Sequence, residues 1–154
     1  MKSPLRCMLV LLSLLSLSTI TLAATNNEIR TWDKKVLLET LSVSDTLKTG
    51  ELAKKVSAYY THNAWHAVVN FLGVHMDAVH QQHLTLHPIF NAEPTIVESG
   101  VLLGFNYWRV NQTVSIPELD CIIDFSLLIH TVKSTVSGSP YIIQSMNIKI
   151  RHDR

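Results

Sequence analysis

The spacing of the apolar residues changes once along this chain, near residue 84. From Glu28 to about His83 they recur every three or four residues, as on one face of a helix, and beyond that point they alternate, as on one face of a strand. No linker rich in Gly, Pro or Ser separates the two parts. Helices followed by strands in 154 residues predict a single α+β domain.

We expect three helices before the change of period. The first is predicted over 28–41 and the second over 52–60. Thr61 is the predicted N-cap of the third helix, because its hydroxyl can accept a hydrogen bond from a free backbone N–H. Tyr60 and Trp65 then occupy the two positions of a hydrophobic staple. Gly73 suits the position just after this helix, with one or two further helical turns beyond it.

Four strands are predicted after the change of period, over 95–103, 105–116, 121–133 and 141–151. Gly104 together with Asn106 supplies the predicted turn between the first two strands. The residues predicted to point inward from the last strand are Ile142, Met146, Ile148 and Ile150. Short connections favour an antiparallel meander, and a strongly curved sheet with helices over one face forms a half-cone with an apolar interior.

The first 24 residues have the pattern of a secretory signal peptide. Lys2 and Arg6 precede an apolar run over 7–22, and small residues end at Ala23 and Ala24. An uncleaved anchor is the alternative, but Ser and Thr residues interrupt the run, and a spanning helix needs about 20 strongly apolar residues. We therefore predict cleavage near Ala23 or Ala24, a periplasmic or secreted domain over 25–154, and only transient membrane contact through the signal.

Composition excludes several classes of protein. Lys and Arg number 13 and Asp and Glu number 12, a net charge of +1, so the chain lacks the basic field that nucleic-acid binding needs. It is 47% hydrophobic and 16% charged, which is typical of a chain with a large buried core. After cleavage Cys121 is the one remaining cysteine, and it lies on an alternating apolar face, so we expect a buried thiol.

Three motifs in order along the chain resemble the IcmL/DotI family. They are YYTHNAW at 59–65, PTIVESGV at 94–101 and GFNYWRV at 104–110, and the ordered match extends from about Trp32 to Ile150. The family pattern has an aromatic-Thr-x-x-Gly-Trp helix start, a Pro-hydrophobic strand leading to Gly, and a Gly-x-Tyr-x-Trp-x-Val strand. Ala64 stands where the first motif has Gly. The residues that carry the resemblance are Tyr60, Thr61, Trp65, Pro94, Gly100, Gly104, Tyr107 and Trp108.

The resemblance implies the periplasmic domain of a Dot/Icm type IVB secretion system, with a nuclear-transport-factor-like or cystatin-like cone. It also implies a scaffolding part without a cofactor, not an enzyme, whose partners are protein subunits of the apparatus or further copies of itself. Family members usually carry a spanning helix, whereas this chain has a cleavable signal, which favours an accessory domain. Arg109 and Asn111, beside Tyr107 on the outer face of the second strand, are candidate partner-facing residues.

Two alternatives use the cone or the histidines for chemistry. A small-ligand binder or enzyme needs polar groups inside the cone, and Asp124 and His130 are candidates, but they lie roughly 20 Å apart along one strand and cannot form a dyad. A secreted effector or His-based metal binder is the other. Six of the eight histidines lie between His62 and His87, and His62 and His66 share one side of a helix, but no third ligand is evident, so no metal site is predicted.

Overall fold

The computed structural model describes residues 26–46, 49–133 and 138–152. The predicted signal peptide lies outside these residues. The helices are α1 (26–41), α2 (Thr49–Val56) and α3 (His62–Gln81), with a 3₁₀ turn at Ser57–Tyr59. The strands are β1 (Ile89–Phe90), β2 (Thr95–Leu102), β3 (Phe105–Ile116), β4 (Cys121–Thr131) and β5 (Tyr141–His152), with a second 3₁₀ turn at Pro117–Leu119. Within the described ranges, no helix has the length and apolarity to cross a membrane.

The strands form one antiparallel sheet, and three helices pack against it as predicted for an α+β fold. β3 pairs with β4 and β4 with β5, while β1 and β2 share the other edge of β3. The four predicted strands are present. The sheet has a fifth strand, β1, that the sequence did not predict because two residues are too short for alternation to show.

Helix α3 does not end at Gly73, so that prediction is wrong. The helix continues to Gln81 and buries Met76 and Val79 in its last turns. Gly73 is exposed, and a Cβ there would have no atom within 4 Å. A glycine inside a helix costs about 1 kcal/mol, which the burial of two large apolar side chains outweighs.

A β-bulge in β5 changes which of its side chains face the helices. Leu128 pairs with Ser145 and Ile129 with Ile143, which leaves Gln144 unmatched. Tyr141 and Ile143 are therefore buried before the bulge, and Met146 and Ile148 pack on the core after it. The prediction that Ile142 points inward is wrong for this reason, and Ile150 is 38% exposed.

Alternate side chains of β3 and β4 face the helices and form the sheet side of the core. The buried apolar residues of these strands are Trp108, Val110, Val114, Ile116, Cys121, Ile123, Phe125, Leu127 and Ile129, and Gln112 is buried among them. The helices cover them with apolar stripes that include Ile29, Val36, Leu37, Val56, Val68 and Leu72. Cys121 is a buried free thiol as predicted.

Aromatic rings fix the start of α1 on the sheet. Tyr141 makes edge contacts with Trp32 and Trp108, with ring centroids 5.6 and 5.8 Å apart. The indole N–H of Trp108 donates to Asn26 Oδ1 at 3.2 Å. The first turn of α1 therefore lies at the end of the sheet where β3 begins, beside the β2–β3 hairpin.

Candidate interaction surface

The outer face of the sheet carries the polar side of β3. Trp108 and Val110 point to the helices, so Tyr107, Arg109 and Asn111 point the other way. Arg109 and Asn111 are exposed and Tyr107 is half-buried. The structure therefore places the two candidate partner-facing residues on solvent-accessible surface.

A groove of about 340 Å³ opens on this face. Its walls come from the β2–β3 hairpin, from β4 and from the bulge in β5. The lining residues are Glu98, Val101, Leu102, Leu103, Phe105, Tyr107, Arg109, Leu128, His130 and Gln144. The lining combines apolar side chains with a carboxylate, a guanidinium and a phenol.

The tip of the β2–β3 hairpin is apolar and exposed. Leu102 pairs with Phe105, so the two-residue turn is Leu103–Gly104 and not the predicted Gly104 with Asn106. Both turn residues have positive φ, 50° at Leu103 and 81° at Gly104, as in a type I′ turn. Such turns favour Asn or Gly at the first position, and a leucine there is strained. The Leu103 side chain is 90% exposed, so its burial does not offset this strain.

Tyr107, Glu98 and Arg109 form one polar cluster beside the tip. The Tyr107 hydroxyl donates to Glu98 Oε1 at 2.8 Å, and Arg109 Nε lies 2.8 Å from Glu98 Oε2. The hydrogen bond to Glu98 raises the pKa of Tyr107. Arg109 and Glu98 are each more than half exposed, so the pair contributes little to folding, about 0–1 kcal/mol. Its main effect is to orient the phenol and the guanidinium at the groove.

Gly100 and Tyr107, two of the motif residues, are in direct contact. Gly100 pairs with Tyr107 across the two strands, and the tyrosine ring lies against it. A Cβ at position 100 would lie 3.1 Å from Tyr107 Cε1, closer than such contacts normally are. The glycine thus makes room for the ring, which covers an otherwise bare stretch of backbone.

Gly104 lies in the hairpin turn at the groove, whereas the motif residues at the start of α3 lie on another element. Thr61 caps α3 by accepting from the Ala64 amide at 3.4 Å, and the rings of Tyr60 and Trp65 are 5.8 Å apart. Tyr60 is buried, whereas Trp65 is half-buried.

Two further motif residues hold α1 against the sheet. Pro94 is buried before β2, and its carbonyl accepts from Arg30 Nε of α1 at 3.1 Å. Trp108 lies under the helices and binds Asn26. With the helix-cap residues, they join the helical layer to the sheet.

The residues considered for catalysis are separated and engaged elsewhere. Asp124 accepts from Arg151 at 2.7 and 2.9 Å and from Thr113 at 2.8 Å, and these hydrogen bonds hold its pKa below the ordinary range. His130 donates to the Thr131 carbonyl at 2.9 Å and has Phe105 beside it. The structure does not bring Asp124 and His130 together.

The histidines include one close pair, His62 and His66, and the others lie apart from it. His83 is paired with Asp45 at 3.0 Å and His87 with Glu118 at 2.7 Å. Among the residues that the structure describes, no three His, Cys, Asp or Glu side chains are grouped to hold a metal ion.

Asp33 is a residue that the sequence analysis missed. It is fully buried on α1, and neither carboxylate oxygen has a hydrogen-bond partner within the described structure. Loss of hydration raises its pKa from 3.8 to about 7. The signal was available, because Asp33 lies four residues after Ile29 and four before Leu37, inside the apolar stripe.

Solved structures with a similar fold include two periplasmic domains. The periplasmic domain of DotI aligns with 79% of this chain and 92% of its own, at a TM-score of 0.64 and 17% identity. A periplasmic fragment of TraM aligns with 80% of this chain and 96% of its own, at a TM-score of 0.68 and 14% identity. The chain has an IcmL/DotI-like fold.

The IcmL/DotI-like fold also matches an IcmL-like type IV secretion system protein from Legionella pneumophila. That alignment covers 83% of this chain and 94% of the other, at a TM-score of 0.53 and 12% identity. No protein-family model and no curated protein matches the sequence. The IcmL/DotI-like fold confirms the resemblance that the three sequence motifs predicted.

Proposed function

We propose that this chain is an exported, non-enzymatic component of a Dot/Icm-type (type IVB) secretion apparatus, which acts by binding other protein subunits in the periplasm. The IcmL/DotI-like fold supports this role, because the solved structures that share it are named as DotI, TraM and an IcmL-like type IV secretion protein. Cleavage near Ala23 or Ala24 would release the domain as an accessory part of the apparatus.

The observation that carries the proposal is Leu103. This residue has a positive φ of 50°, which an L-residue with a large side chain adopts at a cost, and its side chain is 90% exposed. Neither property favours folding, and Asn or Gly at this position would remove both disadvantages. Folding does not account for a leucine at this position, whereas a contact with a partner does.

The surface around Leu103 indicates what kind of partner it fits. Val101, Leu102 and Phe105 extend the apolar tip, and Tyr107 with Arg109 forms a polar side. Aromatic and arginine side chains are enriched among the residues that dominate binding energy at protein interfaces. We therefore expect a protein segment whose apolar side chain enters the groove and whose acceptors meet the Tyr107–Arg109 side.

The absence of an enzymatic role is proposed on the chemistry of β4. Its inward residues Cys121, Ile123, Phe125, Leu127 and Ile129 are all apolar and buried. Asp124, the acid on its outer face, is held by Arg151 and Thr113. This arrangement favours packing over a reactive pocket.

A single substitution separates binding from folding. Leu103→Asn places a favoured type I′ residue at the turn, so we expect the free energy of unfolding to rise by about 1 kcal/mol. At the same time we expect co-purification with type IV secretion subunits, quantified by mass spectrometry after cross-linking in cells, to fall about tenfold, as for loss of an interface residue worth about 1.4 kcal/mol.

Val74→Asn is the matched control, because Val74 is 75% exposed on α3, away from the hairpin. It should leave co-purification unchanged. Full retention of the secretion subunits by Leu103→Asn, or recovery of none by the wild-type protein, would contradict the proposed function. The intact mass of the same periplasmic sample tests cleavage, with Thr25 as the expected first residue.

A further inference from the structure

The first two turns of α3 carry two histidines whose rings face each other. His62 and His66 are both exposed, and their Nε2 atoms are 3.1 Å apart. The ring centroids are 4.4 Å apart and the ring planes are nearly perpendicular, at 85°. The Nε2 atoms of the two rings therefore lie next to each other on the exposed side of the helix.

The separation of these nitrogens matches that of two ligands on one metal ion. With Zn–N distances of about 2.0–2.1 Å, two ligand nitrogens lie about 3.3 Å apart in a tetrahedral site and about 2.9 Å apart at a right angle. The observed 3.1 Å falls between these values. Coordination also requires both Nε2 lone pairs to turn toward one ion, a rotation that is open to the two exposed rings. Neutral imidazole is also a preferred ligand of Zn²⁺, Ni²⁺ and Cu²⁺.

The helix start that carries the pair is fixed to the sheet. The Thr61 hydroxyl donates to the Gln144 carbonyl at 2.7 Å and accepts from the Ala64 amide. The Thr61 amide donates to the Ile143 carbonyl at 2.9 Å, and the Trp65 amide donates to Thr61 at 2.9 Å. An ordered first turn holds the two rings one helical turn apart, so little conformational entropy is lost when an ion binds.

We propose that His62 and His66 together chelate one Zn²⁺ ion through their Nε2 atoms. The ion replaces the hydrogen bond between the rings. Since the described residues contain no third ligand within reach, it keeps open coordination positions for water or for a ligand from a bound partner. This inference does not depend on the proposed secretion role.

His80 shows that spacing alone does not make such a site. It lies in the last turn of α3, and His83 follows three residues later. His83 is beyond the helix with a positive φ of 52°, and its ring is paired with Asp45. His80 is therefore a matched control, an exposed histidine on the same helix without a second ring placed to chelate.

The test is a calorimetric titration of the purified, untagged protein with Zn²⁺. We expect saturation at one ion per chain and reversal by a chelator. His62→Gln and His66→Gln should each weaken binding at least about tenfold, because losing even an outer-shell partner of a metal ligand costs about 10–100-fold. His80→Gln should bind as the wild type does.

A second measurement on the same samples guards against unfolded variants. Saturating Zn²⁺ should raise the thermal midpoint of the wild type and of His80→Gln more than that of His62→Gln, since stabilisation by a ligand grows with its affinity for the folded state. No saturable binding by the wild type, or unchanged affinity in folded His62→Gln, would overturn the proposal.

Discussion

Asp33 places a carboxyl group inside the apolar face of α1. Its neighbour Tyr60 has its hydroxyl 2.7 Å from Thr40 Oγ1, and the described structure provides no donor for the carboxylate. Burial without compensation disfavours the charged form, so the carboxyl stays protonated until its pKa of about 7 is reached. One side chain thereby makes the attachment of the first helix sensitive to pH near neutrality.

The direction of this pH dependence follows from the pKa of Asp33 in the unfolded and in the folded protein. In the unfolded chain Asp33 loses its proton near its ordinary pKa of 3.8, whereas in the folded protein it does so near 7. Stability from this group is therefore fully present below about pH 4 and is lost as the pH rises to about 7. The difference corresponds to about 4 kcal/mol.

Asp33→Asn tests this assignment because the amide has nearly the same shape and does not titrate. We expect urea unfolding of the variant to show a flatter dependence on pH between 4 and 7, and a higher midpoint than the wild type at pH 8. Asp124→Asn is the comparison, because Arg151 holds the pKa of the Asp124 carboxyl below its usual range, and it should leave the slope between pH 5 and 7 nearly unchanged. Equal slopes for wild type and Asp33→Asn would show that Asp33 is hydrated or paired in solution.

Thr61 joins two elements, since it caps α3 and also binds β5. Its hydroxyl and amide together make three hydrogen bonds, to Ala64, Gln144 and Ile143. A helix cap that also pairs with a strand fixes the angle at which the helix leaves the sheet. The same residue therefore sets the position of the histidines above the first turn.

Thr61→Ala should lower the free energy of unfolding by about 2 kcal/mol, the upper end of the range for loss of an N-cap, because the bond to Gln144 is lost as well. The comparison is Thr31→Ala, an exposed threonine within α1 whose hydroxyl binds only its own helix. That variant should change stability by less than about 0.5 kcal/mol. Chemical denaturation measures both, and equal effects would contradict a special role for Thr61.

Elements were predictable from sequence where one periodicity was strong and uninterrupted. Alternation from Phe105 to Ile116 predicted β3 with its observed bounds. The bulge at Gln144 was not predictable, because an inserted residue reverses the inward side without changing composition. The helix end predicted at Gly73 was wrong because a glycine marks the end of a helix only when no buried residues of the same helix follow it.

At the scale of the whole molecule, the helical layer and the sheet meet through aromatic side chains. Trp108 is 3% exposed beneath the helices, and its ring lies 5.8 Å from that of Tyr141. Trp65 packs at the edge of this core and is half-buried. Both tryptophans belong to the motifs that carry the resemblance, but burial in three dimensions distinguishes them.

Their removal should therefore have unequal consequences. Trp108→Ala should cost about 3–5 kcal/mol, as for other large aromatic residues removed from a core, and Trp65→Ala about half as much. Thermal and urea unfolding of the two variants, with loss of near-ultraviolet circular dichroism as the signal, gives the ranking. A larger effect at Trp65 would mean that the helix start is the more important support.

The groove was only partly foreseeable. Alternation placed Tyr107, Arg109 and Asn111 on the outer face, and Gly100 and Gly104 were recognised by motif. The apolar tip was not predicted, because a leucine with positive φ contradicts the usual preference for Asn or Gly in such turns. Residues at an interface follow local sequence preferences less closely than core residues do, because contacts with a partner also contribute to their stability.

Both borders of the sheet are irregular, which bears on how the protein behaves when crowded. On one side the border is split between β1 and β2 and then bulges next to Glu98. On the other side Tyr60 bridges to Ile143 and the bulge at Gln144 follows. A straight, unpaired edge strand can pair with the same strand of a neighbouring molecule and so start a fibre. The bulges and the split border interrupt such pairing. Edge-to-edge pairing between the sheets of two copies is therefore disfavoured at these interruptions.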